Sequence, residues 1–283
     1  MGSQEATGGM RAAVVLPASN EAALIGGCLS ALVGSDLGGG LEVVVVANGC
    51  RDDTAARARE FAGAFSQRGW RLTVIDRPEG GKPGALNAGD AAVTAPVRVY
   101  LDADVTVSPT LLRRIVEALE VGAPRYASGR VRITATGPVS RAYARIWSRV
   151  PFMREGVPGC GLFAVNAAGR RRWEEFPPII SDDTYVRLCF APSERACVDA
   201  PYDWPIAEGL ARLVRVRRRQ DAGVEEIAEL FPHLLRNDDK RPLPRRGMLA
   251  LALRDPLGFA VYAGVAVAVR LTRRDAQDWS RGR

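Results

Sequence analysis

VRVYLDADV, residues 97–105, is the stretch on which the reading of this chain turns. Val97 to Leu101 is a β-branched, apolar run of strand type, and it delivers two acids, Asp102 and Asp104, directly before a helix-start signal at Ser108-Pro109. Residues two apart in an extended chain project to the same side, so the two carboxylates leave the strand together. Adjacent carboxylates repel and are costly to desolvate unless a cation sits between them, most simply a divalent ion on oxygen ligands. Taken alone, the stretch reads equally well as an acidic turn that closes a strand.

Working outward, the bulk properties are those of a globular protein. The chain has 283 residues, 47% hydrophobic and 25% charged, which suits one large domain with or without an appendage. The net charge of +7 and pI of about 9.5 point to anionic partners: phosphates, nucleic acid or an acidic membrane surface. Lysine occurs only at positions 82 and 240; every other basic residue is arginine. Cys28, Cys50, Cys160, Cys189 and Cys197 contain no CxxC pair, so reduced cytosolic thiols are expected rather than disulfides or a zinc site. With His233 the only histidine, catalysis is expected to rest on carboxylates. Residues 1–9 lack an apolar signal region and read as a disordered arm.

Upstream of the acids the pattern alternates. RAAVVLP (11–17), LEVVVVA (41–47), RLTVI (71–75) and VRVYL (97–101) are strand-like. Helical segments follow the first two, one with Leu24, Cys28, Leu29 and Leu32 on one side, the next with Ala58, Phe61, Ala62 and Phe65. A helix also fills the second half of the Gly-rich RPEGGKPGALNAGDAA. Such alternation predicts an α/β fold with a mostly parallel sheet flanked by helices, and ligands at the carboxyl ends of its strands. Four loops meet there: PASNEA (17–22), ANGCRDDT (47–54), GGKPGALN (80–87) and DAD (102–104). There is no GxGxxG after the first strand and no GxxxxGK[ST], which disfavours dehydrogenases and P-loop enzymes. Paired carboxylates, a lysine and helix N-termini suit a diphosphate held through a metal ion.

These loops carry a resemblance. VVLPASNEAALIGGCLSAL (14–32), VVVVANGCRDDTAARA (43–58), GGKPGALNAGDAA (80–92) and VYLDADV (99–105), in that order, resemble the nucleotide-binding half of family 2 glycosyltransferases. GVPGCGLFAVNAAGRRRW (156–173) and IISDDTYVRL (179–188) continue it. The resemblance implies a GT-A-type, Rossmann-like fold and an inverting, metal-dependent transfer of a sugar from a nucleotide-sugar to a hydroxyl acceptor. It implies that Pro17, Ala18 and Glu21 line the base and ribose pocket, that Asn48 and Asp52 lie in the nucleobase loop, and that Lys82 lies beside the nucleotide-sugar. Asp102 and Asp104 match the DXD motif, Asp102 near ribose or sugar and Asp104 on Mn²⁺ or Mg²⁺. Asp183 matches the general base, with Asp182 where glutamate is usual; the plainer reading of Asp182 is a helix cap.

The chain also departs from the family pattern. Ala47-Asn48 stands where two acids are common, so a UDP-sugar is favoured by family habit alone and a GDP-sugar stays open. QxxRW is absent; in LVRVRRRQDAG (213–223), Arg215, Arg218 and Arg219 either clasp the diphosphate or form a solvated basic face. Gly159 and Gly161 would allow close backbone approach in the floor of the sugar or acceptor site. Trp147, Trp173 and Trp204 suit sugar stacking or core packing.

After His233, RNDDKRPLPRRG (236–247) reads as a linker, and Asp255-Pro256 starts a helix. LGFAVYAGVAVAV (257–269) is apolar all round and ends at Arg270, Arg273 and Arg274, too short for the roughly 20 residues a spanning helix needs. It either packs on the domain or lies in an anionic membrane interface. The expected organisation is thus a transferase domain over 10–235 and a linker with a C-terminal helical appendage over 236–283. The expected location is cytoplasmic, at the inner face of the membrane if the helix is interfacial, with no nucleic-acid partner. Two other readings are a sugar nucleotidyltransferase, which would favour a basic, Gly-rich first loop, and a non-catalytic nucleotide-sugar-binding module held at membranes.

Overall fold

The structure, a computed structural model, describes residues 9–272. The expected arm, apart from Gly9, and the two arginines at 273 and 274 lie outside the described residues. Strand β1 (Met10–Ala18) leads to helix α1 (Ile25–Val33), β2 (Gly40–Asn48) to the short helices α2 (Thr54–Arg59) and α3 (Ala62–Gln67), and β3 (Arg71–Arg77) to α4 (Lys82–Ala91) and β4 (Val97–Leu101). The single helix expected after β2 is broken at Glu60-Phe61, and Ala62 is exposed while Ala58 and Phe65 are buried. These four strands are mutually parallel in the order β3-β2-β1-β4.

The second half turns the sheet around. It comprises β5 (Thr106–Val107), α5 (Leu111–Leu119), β6 (Tyr126–Thr134), α6 (Pro138–Trp147), α7 (Pro151–Glu155), β7 (Leu162–Asn166), α8 (Ala167–Arg170), α9 (Asp182–Leu188) and β8 (Arg195–Pro205). The antiparallel β7 pairs with β4, and the full order of the eight-stranded sheet is β3-β2-β1-β4-β7-β6-β8-β5. Both faces are covered, which explains why β1 and β2 read as unbroken apolar runs. Ala12, Val14 and Leu16 face a core shared with α1 and α5, while Ala13 and Val15 face one shared with α4 and α9.

Three α-helices, with a 3-10 turn at Pro232–Asn237 after the first, complete the described chain: α10 (Leu210–Leu230), α11 (Arg245–Arg254) and α12 (Pro256–Leu271). Asp255 caps α12 by accepting from the Gly258 amide, and its carboxylate takes a two-pronged bond from Arg145 at 2.6 and 3.2 Å. One face of α12 packs on α6 and α10 through Tyr143, Leu213, Val265 and Val269. Helix α11 begins in the last residues of the stretch that reads as linker (236–247) and runs beyond it; prolines and arginines at its start mask the helical GMLALAL (247–253). Among the described residues no helix is long and apolar enough to cross a membrane.

Candidate active site

The loops at the carboxyl ends of β1, β2 and β3 are bound to one another before any ligand is considered. Asn48, buried at the end of β2, donates to the Ala18 carbonyl at 2.9 Å and accepts from the Gly81 amide at 3.0 Å. Asp52 accepts from the Ala22 amide, and from the amide and hydroxyl of Thr54, which together hold its carboxyl below the usual range. Thr54 in turn accepts from the Glu21 amide at 2.8 Å. Asn20, the one non-glycine with positive φ among the described residues, accepts from the Arg51 amide. The polar side chains that the sequence singles out here therefore serve chiefly to shape the loops. Asn48 and Asp52 lie in the expected nucleobase loop, but their hydrogen-bonding capacity is largely engaged by backbone.

Below these loops is a cleft lined by Pro17, Lys82, Leu86, Tyr100, Leu101, Asp102, Gly161, Phe163, Asp182 and Asp183. Lys82, at the start of α4, bridges it. Its ammonium lies 2.7 Å from Asp102 Oδ1 and 3.2 Å from Asp182 Oδ1. The cleft's open volume is about 10 Å³, room for one water. Desolvation works against the charge on Lys82, but Asp102 and Asp182 outweigh it and hold its pKa well above the ordinary lysine value.

Asp182 and Asp183 open helix α9, so the helix N-terminus favours their ionised forms while burial opposes them. The balance raises both pKa values. Asp182 does not cap the helix: Ser181 holds that position, and the Asp182 Oδ2 atom is buried with no hydrogen-bond partner among the described residues. Asp183 accepts from the adjacent Thr184 amide at 2.6 Å. Asp104 lies beyond Asp102 in the turn after β4; burial and the Asp102 charge raise its pKa to about 6. Glu21 is raised to about 7 by burial and by Asp104, Asp102 and Asp52. Glu21, Asp102 and Asp104 thus form an acidic zone, with Lys82 paired to Asp102 at its edge.

The other expected residues separate into groups. Pro17 lines the cleft, whereas Ala18 is buried beside it and contributes its carbonyl to Asn48. Gly159 and Gly161 both have φ of 68°, but a Cβ would collide with Tyr126 at the first and with Trp204 and Val105 at the second. Their freedom accommodates protein packing as much as a ligand. The Gly161 carbonyl accepts from the Asp102 amide at 2.9 Å, which fixes the floor against the acid strand. Arg218 donates to Thr272 at the end of α12 rather than to any residue of the cleft. Arg215 and Arg219 are exposed on the stripe of α10 that leads to Gly223, which presses on Ser181. Trp147 packs edge-on against Trp204, and Trp173 against Phe176, so these three rings are packing residues.

Several contributors are missing from the sequence reading. Tyr100 and Phe163 stack at 4.9 Å to form one wall of the cleft. Tyr100 could have been found, because it shares the strand face of Asp102. Lys240 could not: its ammonium stands 5.0 Å over the Phe152 ring and within electrostatic reach of Asp183 and Cys160. It is brought there by Arg187, fully buried, which binds Asp239 at 2.6 Å and Asp238 at 2.7 Å, and by Arg195, which also binds Asp239. A larger hollow elsewhere, lined by His233, Arg236, Arg172 and Glu194, has its Arg172 paired with Glu194 and contains none of the acids above.

Comparison with known proteins bears on this arrangement. The sequence model described as "Glycosyl transferase family 2" matches residues 13–173. A search of curated proteins finds no match. Among solved structures, a mannosyltransferase from Pyrobaculum calidifontis in complex with GDP-Man and Mn²⁺ is similar at a TM-score of 0.56 and 20% identity, over 94% of this chain and 79% of that one. Residues 1–349 of S. aureus TarS in complex with UDP give 0.55 at 11% identity, over 96% and 93%. Glucosyl-3-phosphoglycerate synthase from Mycobacterium tuberculosis, with Mn²⁺, UDP and glucosyl-3-phosphoglycerate, gives 0.54 at 20% identity, over 78% and 80%. The likeness to these structures shows the fold: a mixed α/β sheet flanked by helices, in the GT-A arrangement.

Proposed function

The chain belongs to the family 2 glycosyltransferases, and from that premise we propose that it performs an inverting, metal-dependent transfer from a nucleotide-sugar to a hydroxyl acceptor. The observation that carries this reading is the Lys82 bridge, which draws the acid of the donor strand, Asp102, and the acids that open α9 into one cleft. In the proposed step, Asp183 accepts the proton of the acceptor hydroxyl as its oxygen bonds to the anomeric carbon. The bond from that carbon to the diphosphate breaks, the nucleoside diphosphate leaves with the electron pair, and a single displacement inverts the centre. Lys82 exchanges its carboxylate partners for the departing diphosphate, where positive charge is most useful.

Asp104, with Asp102 beside it, would hold Mn²⁺ or Mg²⁺. A desolvated carboxylate with a raised pKa and no ion-pair partner among the described residues is a fitting ligand. Among the described residues no group of three or more such side chains is placed to hold a metal. That agrees with an ion held by one or two carboxylates plus substrate phosphates. When bound, the ion would supply charge that stabilises the leaving diphosphate.

For the donor, the similar structures carry UDP in two cases and GDP-Man in one. A UDP-sugar is the first donor to test and a GDP-sugar the second. Pro17 and Glu21 would border the base and ribose, with Asn48 and Asp52 shaping the loop above. The test is a thermal-shift panel of UDP, GDP and their sugars with and without Mn²⁺. One nucleotide should raise the melting temperature only with Mn²⁺, and Asp104→Ala should remove that dependence. Equal stabilisation of the native protein with and without metal would overturn the metal assignment.

A further inference from the structure

Helix α12 is apolar all round, yet its neighbours cover only one side. Val265 and Val269 are buried against α6 and α10, while Leu257, Ala260, Gly264, Val267 and Leu271 form an exposed stripe at spacings of three and four residues with no charge in it. Helix α11 has no buried residue and adds Met248, Leu249 and Leu253. Six of the twelve large exposed hydrophobic residues among those described fall between 248 and 271, and the three most exposed, Leu253 at 77%, Leu257 at 77% and Leu271 at 76%, are among them. Leu253 and Leu257 flank the elbow at Asp255, which Arg145 pins to the body of the protein. The outward apolar surface is therefore held in place, and nothing in the chain's described residues covers it.

Its charge identifies what would. From 241 to 272 there are five arginines, Arg241, Arg245, Arg246, Arg254 and Arg270, against one acid, Asp255, already paired with Arg145. A second copy docked about a twofold axis would bring like charges together, which disfavours self-association. An apolar strip rimmed with arginine suits a surface whose interior is hydrocarbon and whose rim is anionic. We propose that α11 and α12 together form a docking face that lies in the interface of an anionic lipid bilayer, its leucines at the boundary between headgroups and acyl chains and its arginines at the headgroups. This goes beyond the catalytic proposal and stands without it. The elbow makes the two short helices one surface, where neither alone is long enough to span or amphipathic enough to bind.

The experiment is co-sedimentation of the full chain with vesicles of phosphatidylcholine alone and of phosphatidylcholine mixed with phosphatidylglycerol, at low and high salt. Binding should favour the anionic vesicles and weaken with salt. The triple variant Leu249→Glu, Leu253→Glu, Leu257→Glu should lose partitioning by about tenfold or more. Arg245→Glu with Arg246→Glu should lose at least about fivefold per arginine. Circular dichroism and the melting temperature should be unchanged in both, since the altered side chains point to solvent. Absence of binding to either vesicle, or binding unaffected by both variants, would overturn the proposal. So would a native dimer in light scattering that the leucine variant dissolves, since the face would then be a protein interface.

Discussion

The two walls of the cleft are held in different ways. The wall proposed to take the donor is self-contained: Asn48, Asp52, Thr54 and Asn20 tie the β1, β2 and Gly-rich loops to each other within residues 18–81. The wall that carries Asp183, the proposed general base, hangs from distant parts of the chain. Ile180 donates to Glu226 on α10, Gly223 admits Ser181, and Arg187 on α9 is clamped by Asp238 and Asp239. One wall is preorganised by neighbours in sequence and the other by tertiary packing. Nucleotide binding and turnover should therefore fail independently.

The largest effect that would sharpen this contrast is on chemistry. Asp183→Asn should lower turnover by about a thousandfold with donor affinity, measured by calorimetry, nearly unchanged. Turnover that survives would assign the base elsewhere, and Asp182→Asn is the control that says whether the neighbouring acid carries it. Next comes Arg187→Met, which removes a buried cation from two carboxylates and should cost about 3 kcal/mol of stability in a denaturant titration. If the base-bearing wall is hung as described, this variant also loses kcat while its nucleotide affinity holds. The mirror-image test is Asn48→Ala: it should weaken nucleotide binding about tenfold by freeing the Ala18 carbonyl and Gly81 amide, with little change in kcat for saturating donor.

A pH series probes the acidic zone between the walls. Cation binding needs ionised carboxylates, so metal-dependent nucleotide affinity should fall by about tenfold as pH drops to one unit below the Asp104 value of about 6. Fold stability should run the other way. Glu21 and Asp104 are raised above their ordinary values, so in the native state they bind protons more readily than in the unfolded chain, and acidification from about 7 towards 5 is stabilising through them. The smallest effect is Arg219→Ala, expected to raise the donor KM about threefold, whereas Arg218→Ala should leave KM unaltered because that side chain serves Thr272.

The same contrast explains what could be read from sequence. The donor half follows the βα rule, in which each strand is succeeded at once by its functional loop, so VRVYLDADV and the three loops before it identify the parallel sheet and its ligand edge. Two residues do something that their local pattern does not announce. Asn48 looks like a ligand residue and acts as a clasp, and Asp182 looks like a cap and faces Lys82. The acceptor side depends on pairings far apart in the chain, such as β6 with β8 or Arg187 with Asp239, which no local pattern announces. Helix α11 was hidden for a different reason: prolines and arginines at its start outweigh its seven-residue apolar core in composition.

One consequence concerns the two lysines. Lys82 spans the cleft and Lys240 lies within electrostatic reach of its Asp183, yet their proton affinities are shifted in opposite directions: Lys82 is held well above the ordinary value by its carboxylates, while desolvation and the nearby Arg187 guanidinium lower that of Lys240. Lys82 therefore keeps its proton to higher pH than Lys240, whose amine is the more readily freed of the two. An amine-reactive dye would therefore label Lys240 before Lys82, placing a reporter beside Asp183 in a chain with no other lysine to compete. The scarcity of lysine, which as composition conveyed nothing, leaves the α-amino group as the main competitor for such a label.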